Sequence, residues 1–293
     1  MTAPFTEEAF AKINLTLRVI GRRPDGYHEL DSLVAFARIS DRLSFSPDSA
    51  LGLTVQGPTA DAAGPISDNL VLRAATALAE RVTPLQLGRF TLHKGLPVAA
   101  GIGGGSADAA AALRLLVRAN RLALDDPRVM DAARATGADV PVCVDPRPRR
   151  MQGIGEILSA PLKLPDLPAV LVNPGVGVPT KDVFAILGAP QLTGTPKRQF
   201  DDIPNETEAL LDYLAANGND LEPAAIVLQP VIGQVLAALH ALPGCRLARM
   251  SGAGATCFGL FASGAAAEAA ARRLHEVKPG WWVEATTLGE PTV

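Results

Sequence analysis

Residues 9–19 alternate with a period of two: Ala11, Ile13, Leu15, Leu17 and Val19 on one side, Phe10, Lys12, Asn14, Thr16 and Arg18 on the other. That period predicts a half-buried strand. Arg22-Arg23-Pro24-Asp25-Gly26 supplies a turn, with Pro24 and Gly26 setting the backbone angles. Extended segments are expected next at 29–39 and 41–46, a helix over 70–81 introduced by Asp68-Asn69, and a strand at 89–93. A glycine-rich stretch then opens into an Ala-rich helix running to Asn120. Leu113, Leu116 and Val117 lie on one face of it, and Arg114, Arg118 and Arg121 share an opposite face read as solvated. Asp126-Pro127 starts another helix with a cap and an N1 proline, and Gly137 ends it. Residues 138–141 are expected to leave in extended form, because Pro141 disfavours helix at Val140.

Proline and arginine gather at 145–150, which marks a boundary between a lobe of residues 1–150 and one of residues 151–293. In the second lobe strands are expected at 169–173, 246–250, 256–261 and 282–287, and helices at 181–187, 206–216, 223–242 and 265–277. Such a mixture predicts an α+β fold.

Hydrophobic residues make up 48% of the 293 and charged residues 19%, enough for a packed core and unlike a disordered chain. A net charge of −3 gives no electrostatic footprint for nucleic acid. The three cysteines, Cys143, Cys245 and Cys257, are far apart and form no CxxC, which argues against a disulfide framework or zinc ribbon and fits a reducing compartment. No apolar run reaches membrane-span length, and the N-terminal stretch MTAPFTEEAFAKIN lacks an apolar signal core. A soluble cytoplasmic protein is expected.

The strongest chemical signal is Pro97-Val98-Ala99-Ala100-Gly101-Ile102-Gly103-Gly104-Gly105-Ser106-Ala107. Consecutive glycines let the backbone approach an anion closely, and the helix that follows adds its N-terminal dipole. The alternative is a flexible turn with Ser106 as an ordinary N-cap. No Gly-Lys-Ser/Thr follows, and the glycine spacing is not that of a dinucleotide fingerprint. Lys12 and Asn14 project from one face of the first strand; alone, Lys12 would read as an edge-strand lysine. Asp139 alone would read as a turn residue. If the two meet, lysine keeps the carboxylate ionised and the carboxylate can accept a hydroxyl proton.

Tyr27-His28 follows the first turn in a chain with only 4% aromatic residues, so these rings could hold a base by stacking, or merely cover a sheet edge. Phe184 is the candidate second ring. The loop Ser251-Gly252-Ala253-Gly254-Ala255-Thr256 fits a hairpin turn and a second phosphate-facing loop equally well. The four histidines show no ligand spacing, and neither HExxH nor GxSxG occurs.

Together these motifs resemble the GHMP small-molecule kinases. The blocks Ala11-Lys12-Ile13-Asn14-Leu15, Arg23-Pro24-Asp25-Gly26-Tyr27-His28-Glu29-Leu30, Gly137-Ala138-Asp139-Val140-Pro141, Gly153-Ile154-Gly155-Glu156 and 250–259 resemble, in order, those of the 4-diphosphocytidyl-2-C-methyl-D-erythritol kinase family. The resemblance implies a two-lobed α+β fold, with an N-terminal lobe like the second domain of ribosomal protein S5 and a ferredoxin-like C-terminal lobe. It implies phosphorylation of the 2-hydroxyl of that diphosphocytidyl alcohol by ATP, with Mg²⁺ expected, in the non-mevalonate route to isoprenoid precursors.

By the same resemblance Lys12 and Asp139 form the catalytic pair, and residues 97–107 hold ATP with Asn69 and Lys94 nearby. Asn14, Tyr27, His28 and Phe184 bind the substrate. Partners are small molecules, without nucleic acid or membrane; metal ligands and the choice between monomer and homodimer stay open. Ala107, Met151 and Ala253 depart from the residues usual at their positions. The rival readings are a GHMP kinase for another alcohol, such as homoserine, and a non-catalytic nucleotide-binding protein.

Overall fold

A computed structural model of the chain describes residues 5–47, 50–194, 199–200 and 202–291; residues 1–4 of the N-terminal stretch lie outside them. Two strands, β1 (Phe5–Asn14) and β2 (Arg18–Arg22), pair antiparallel with the long β3 (His28–Ser46). The two extended segments expected at 29–39 and 41–46 are therefore one strand. Neighbours along its whole length hold it through Ser40. The first half pairs with β2 and a later strand, and the second half with β1 and β5.

After β4 (Gly52–Gln56) come α1 (Leu70–Ala79), β5 (Arg89–His93), α2 (Gly104–Ala119), α3 (Pro127–Thr136) and α4 (Val140–Val144). Then follow β6 (Arg149–Gly153), β7 (Ile157–Leu158), β8 (Leu167–Asn173), α5 (Thr180–Leu187), α6 (Thr207–Ala216), α7 (Glu222–Leu228) and α8 (Val231–His240). The chain closes with β9 (Leu247–Met250), β10 (Cys257–Leu260), α9 (Gly264–Val277) and β11 (Trp282–Gly289). The helix expected over 223–242 breaks at Pro230, whose ring and missing N–H interrupt the ladder. Residues 138–141 are not extended. Val140 begins α4 and Pro141 takes its second position, where a missing N–H costs nothing.

All the strands join one mostly antiparallel sheet, with β4–β5 a parallel pair. The position between residues 150 and 151 falls inside β6, which pairs with β3, and β11 also returns to β3. Strand β8 reads as a continuous apolar run because both of its faces are buried. Val170 and Val172 join the core under α5, α7, α8 and α9, while Ala169 and Leu171 join the one capped by α6. A third core lies between the sheet and α1, α2 and α3. Among the described residues no helix is long and apolar enough to cross a membrane.

Arg114 is not solvated as its helical stripe suggested. It donates to the Glu7 carboxylate and to the Glu8 and Cys143 carbonyls, stapling α2 to β1 and α4. Arg118 and Arg121 do face solvent.

The start of α2 is fixed from beneath. Lys94, at the end of β5, donates to Asp41 Oδ2 at 2.5 Å and to Asp108 Oδ2 at 2.8 Å, and Asp41 Oδ1 accepts from the Gly95 and Leu96 N–H groups. All three side chains are buried. Burial, opposed by Lys94 and reinforced by Asp41, pushes the Asp108 carboxyl up to about 7. Between the ordinary carboxylic range near ~4 and the raised value, the folded chain keeps a proton that the unfolded chain has released. This group's contribution to stability therefore falls as pH rises through that window. Asp108→Asn removes the titration. The melting temperature of the wild type, relative to the variant, should decline from about pH 4 to about pH 7 and then level off. Parallel pH profiles would show that Asp108 is ionised throughout.

Candidate active site

The polar face of β1 is not exposed at a sheet edge: α2 covers it, and Lys12 and Asn14 are 3% and 1% exposed. The Lys12 ammonium donates to Asn14 Oδ1 at 2.8 Å and pairs with Asp139 Oδ2 at 2.9 Å. Asn14 in turn donates to Ser32 Oγ at 2.7 Å, which donates to the Thr16 carbonyl. A buried cation is thus matched by a carboxylate and an oriented amide, the condition under which it can stay charged. β1 and β3 shift register between Phe10 and Lys12, an irregularity of the kind that re-aims side chains beside active sites.

Asp139 occupies the position just before α4, and its side chain caps nothing, which leaves it to Lys12. It is 34% exposed, so one of its sides remains open. The turn at 153–156 backs this segment: a Cβ on Gly155 would lie 2.7 Å from the Ala138 carbonyl oxygen, and Gly155 holds φ +122°. Glycine is required there by both contact and conformation.

The glycine loop runs directly over Lys12. A Cβ on Gly103 would stand 3.1 Å from Lys12 Cε, and Gly103, at φ +62°, is the N-cap of α2. Ser106 is therefore within the first turn and is not the cap. Asn69, Asp126 and Ser263 cap α1, α3 and α9 with a side-chain oxygen, whereas no side chain caps α2 or α4–α8; α2 differs in that the residues of its first turn, Gly104–Ser106, line the cavity described below. Its first-turn N–H groups and dipole are left for an anion. The loop at 251–256 lies against this one backbone to backbone. Ser251 Oγ accepts from the Asn14 N–H and donates to the Gly101 carbonyl, and a Cβ on Gly101 would meet the Ser251 carbonyl oxygen at 2.5 Å.

On the opposite side the β2–β3 turn carries Tyr27, 60% exposed, and His28. Arg23 ties this turn to its surroundings through Asp25, Glu29 and Glu156. Phe184 of α5 stacks on His28 with ring centroids 4.3 Å apart and 15° between planes, so one face of Phe184 is already taken. Burial first, and Arg22 second, lower the His28 pKa and favour the neutral ring.

These elements enclose a cavity of about 990 Å³. Lys12, Asn14, Asp139, Tyr27, His28 and Phe184 all line it, as do Val98, Ala99, Ala100, Gly101 and Gly103–Ser106. Pro97, Ile102 and Ala107 do not; Ile102 and Ala107 are packed in the core. Asn69 caps α1 by accepting from the Val71 N–H, and Lys94 lies beneath the loop with Asp41 and Asp108, so neither side chain reaches the cavity wall. Sequence reasoning passed over Arg22, Thr180 and Lys181, which also line the cavity, and left Gly252 and Gly254 open between two roles. The doublet Arg22-Arg23 gives no periodic signal, and only the tertiary pairing of Arg23 separates the two. Among the described residues no group of three or more His, Cys, Asp or Glu side chains is placed to hold a metal ion.

The family model described as GHMP kinases N terminal domain matches residues 69–145, and that described as GHMP kinases C terminal matches residues 203–280. A 4-diphosphocytidyl-2-C-methyl-D-erythritol kinase of Methylobacterium radiotolerans is 59% identical over 286 residues, covering 96% of this chain and 98% of its own length. Its counterpart in Rhodopseudomonas palustris is 58% identical over 289 residues, covering 96% of each chain. The crystal structure of a 4-(cytidine 5'-diphospho)-2C-methyl-D-erythritol kinase superposes with a TM-score of 0.77 at 37% identity, covering 97% of this chain and 99% of the other. With the lysine–carboxylate pair facing an uncapped glycine loop, and with this identity along nearly the whole length, the chain belongs to the 4-diphosphocytidyl-2-C-methyl-D-erythritol kinase family of the GHMP kinases.

Proposed function

We propose that the chain transfers the γ-phosphoryl group of ATP to the 2-hydroxyl of 4-diphosphocytidyl-2-C-methyl-D-erythritol, with Lys12 and Asp139 as the catalytic pair. The observation that carries this reading is the 2.9 Å contact between Lys12 Nζ and Asp139 Oδ2 on the cavity wall below the uncapped start of α2. ATP phosphates lie on the first-turn N–H groups of Gly104, Gly105 and Ser106. Phosphoryl transfer asks a protein mainly for alignment and charge neutralisation. Asp139 accepts the proton of the acceptor hydroxyl as its oxygen bonds to the γ-phosphorus and the bond to ADP breaks. Lys12 holds Asp139 ionised and steadies the charge that develops on the transferred group.

Mg²⁺ enters with ATP as part of that substrate. The oxygen donors of the wall, the Asp139 carboxylate and the Ser106 hydroxyl, suit a hard cation. The cytosine is held at the Tyr27 side, against the wall that His28 and Phe184 make together. The product belongs to the non-mevalonate route to isoprenoid precursors.

Replacing Asp139 by Asn keeps the shape and removes the base. Turnover should drop by roughly 10²–10⁴-fold while the KM for ATP moves little. Steady-state kinetics with both substrates measures this, and undiminished turnover would remove Asp139 from the role. Tyr27→Ala should raise the KM for the diphosphocytidyl substrate by about 10–100-fold, the size of one lost base–aromatic stack. An effect confined to ATP would place the cytosine elsewhere.

A further inference from the structure

The charged groups that line the cavity are Lys12, Arg22, Asp139 and Lys181. Lys12 and Asp139 neutralise each other. Arg22 and Lys181 have no carboxylate partner among the described residues, whereas the adjacent Arg23 is engaged by Asp25, Glu29 and Glu156. The cavity wall therefore carries two uncompensated positive charges.

Both charges sit at the aromatic side. Arg22 ends β2 and stands directly opposite His28 in the β2–β3 register, so the two side chains share a face of the hairpin. Arg22 is also close enough to His28 to help lower that ring's pKa. Lys181 is in the first turn of α5, three residues before Phe184, and residues so spaced are neighbours on a helix surface. The stack of His28 on Phe184 joins the hairpin to α5 and so brings the two cations to one region. The Gly104, Gly105 and Ser106 N–H groups proposed above for the ATP phosphates belong to a different element, α2.

We propose that Arg22 and Lys181 bind the diphosphate of the acceptor substrate, and so select an alcohol linked through a diphosphate to a pyrimidine nucleoside over an uncharged alcohol. The inference rests on the kinase reading above, and it assigns that substrate's two negative charges to two specific side chains. Guanidinium offers paired N–H donors to phosphate oxygens, and ammonium a compact point charge. Both residues are exposed to solvent as well as lining the cavity, so their charges are open to an anionic ligand that enters it.

Titration calorimetry of the full chain with CDP and with cytidine tests the assignment. The wild type should prefer CDP, and the preference should weaken with added salt. Arg22→Gln and Lys181→Gln should each cut the CDP-to-cytidine affinity ratio by roughly 5–20-fold, the loss of a charge-assisted contact, while Arg22→Lys and Lys181→Arg keep most of it. In the coupled kinase assay the KM for the diphosphocytidyl alcohol should rise by a similar factor. An unchanged CDP-to-cytidine ratio, a rise in the KM for ATP, or a loss confined to kcat would overturn the proposal. If the wild type transfers no phosphoryl group to the diphosphocytidyl alcohol, the kinase reading fails; the affinity ratio still decides the cation assignment by itself.

Discussion

An ammonium group sealed inside a protein must be met by opposite charge, because its desolvation is otherwise prohibitive. Lys12, on the inward face of β1, is in that position, and its partner comes from a different part of the chain, the segment entering α4. The pair therefore fixes where that segment lies against the sheet. Asn14, Ser32 and the Thr16 carbonyl extend the restraint into β3, so the lysine has little freedom to turn away. Asp139 is the less buried of the two. That asymmetry holds the cation rigid and leaves the carboxylate in contact with whatever enters the cavity.

The second constraint is steric and concerns backbone alone. The loop before α2 and the loop at 251–256 approach so closely that a Cβ on Gly101 or Gly252 would enter the other's main chain, at 2.5 Å and 2.7 Å respectively. Both residues also hold positive φ. Glycine at these positions is thus a packing requirement. The 251–256 loop serves the site by holding the first loop in shape, with Ser251 bonding to both β1 and Gly101.

Local pattern revealed what local chemistry determines. The turn at 22–26, the helix starts at Asn69 and Asp126 and the glycines ahead of α2 all act within a few residues, and each was legible. The half-buried strand read over 9–19 was only partly so, because β1 ends at Asn14, residues 15–17 leave the strand before β2 begins at Arg18, and residues 9–17 are buried on both faces. What long-range packing decides was not. Nothing local says that α2 roofs the polar face of β1, that Arg114 turns into hydrogen bonds with β1 and α4, or that β3 continues through Ser40 because strands flank it there. Lys94 shows the same limit: its sequence position beside the loop is as expected, but two buried carboxylates claim its charge. Residues 138–141 failed for a different reason. A proline discourages helix at the preceding residue, yet the first turn of a helix tolerates both residues once tertiary contacts hold them.

The two sides of the cavity are held in place by different sets of interactions. The loop ahead of α2 is held in shape by its glycines, by Ser251 and from below by Lys94 with Asp41 and Asp108. The opposite side of the cavity is a hairpin and a helix held by the Arg23 ion pairs, by the His28–Phe184 stack, and by two backbone hydrogen bonds, from the Arg22 N–H to the Pro190 carbonyl and from the Leu192 N–H to the Arg22 carbonyl. Backbone amides recognise phosphate without regard to what it is attached to, whereas rings and charged tips distinguish one acceptor from another. None of the bonds named for one side involves a residue named for the other, so under the proposed reading changes on the hairpin and on α5 would alter acceptor binding while leaving the loop amides in place. The lysine–carboxylate pair stands between them, anchored to the sheet and answerable to both.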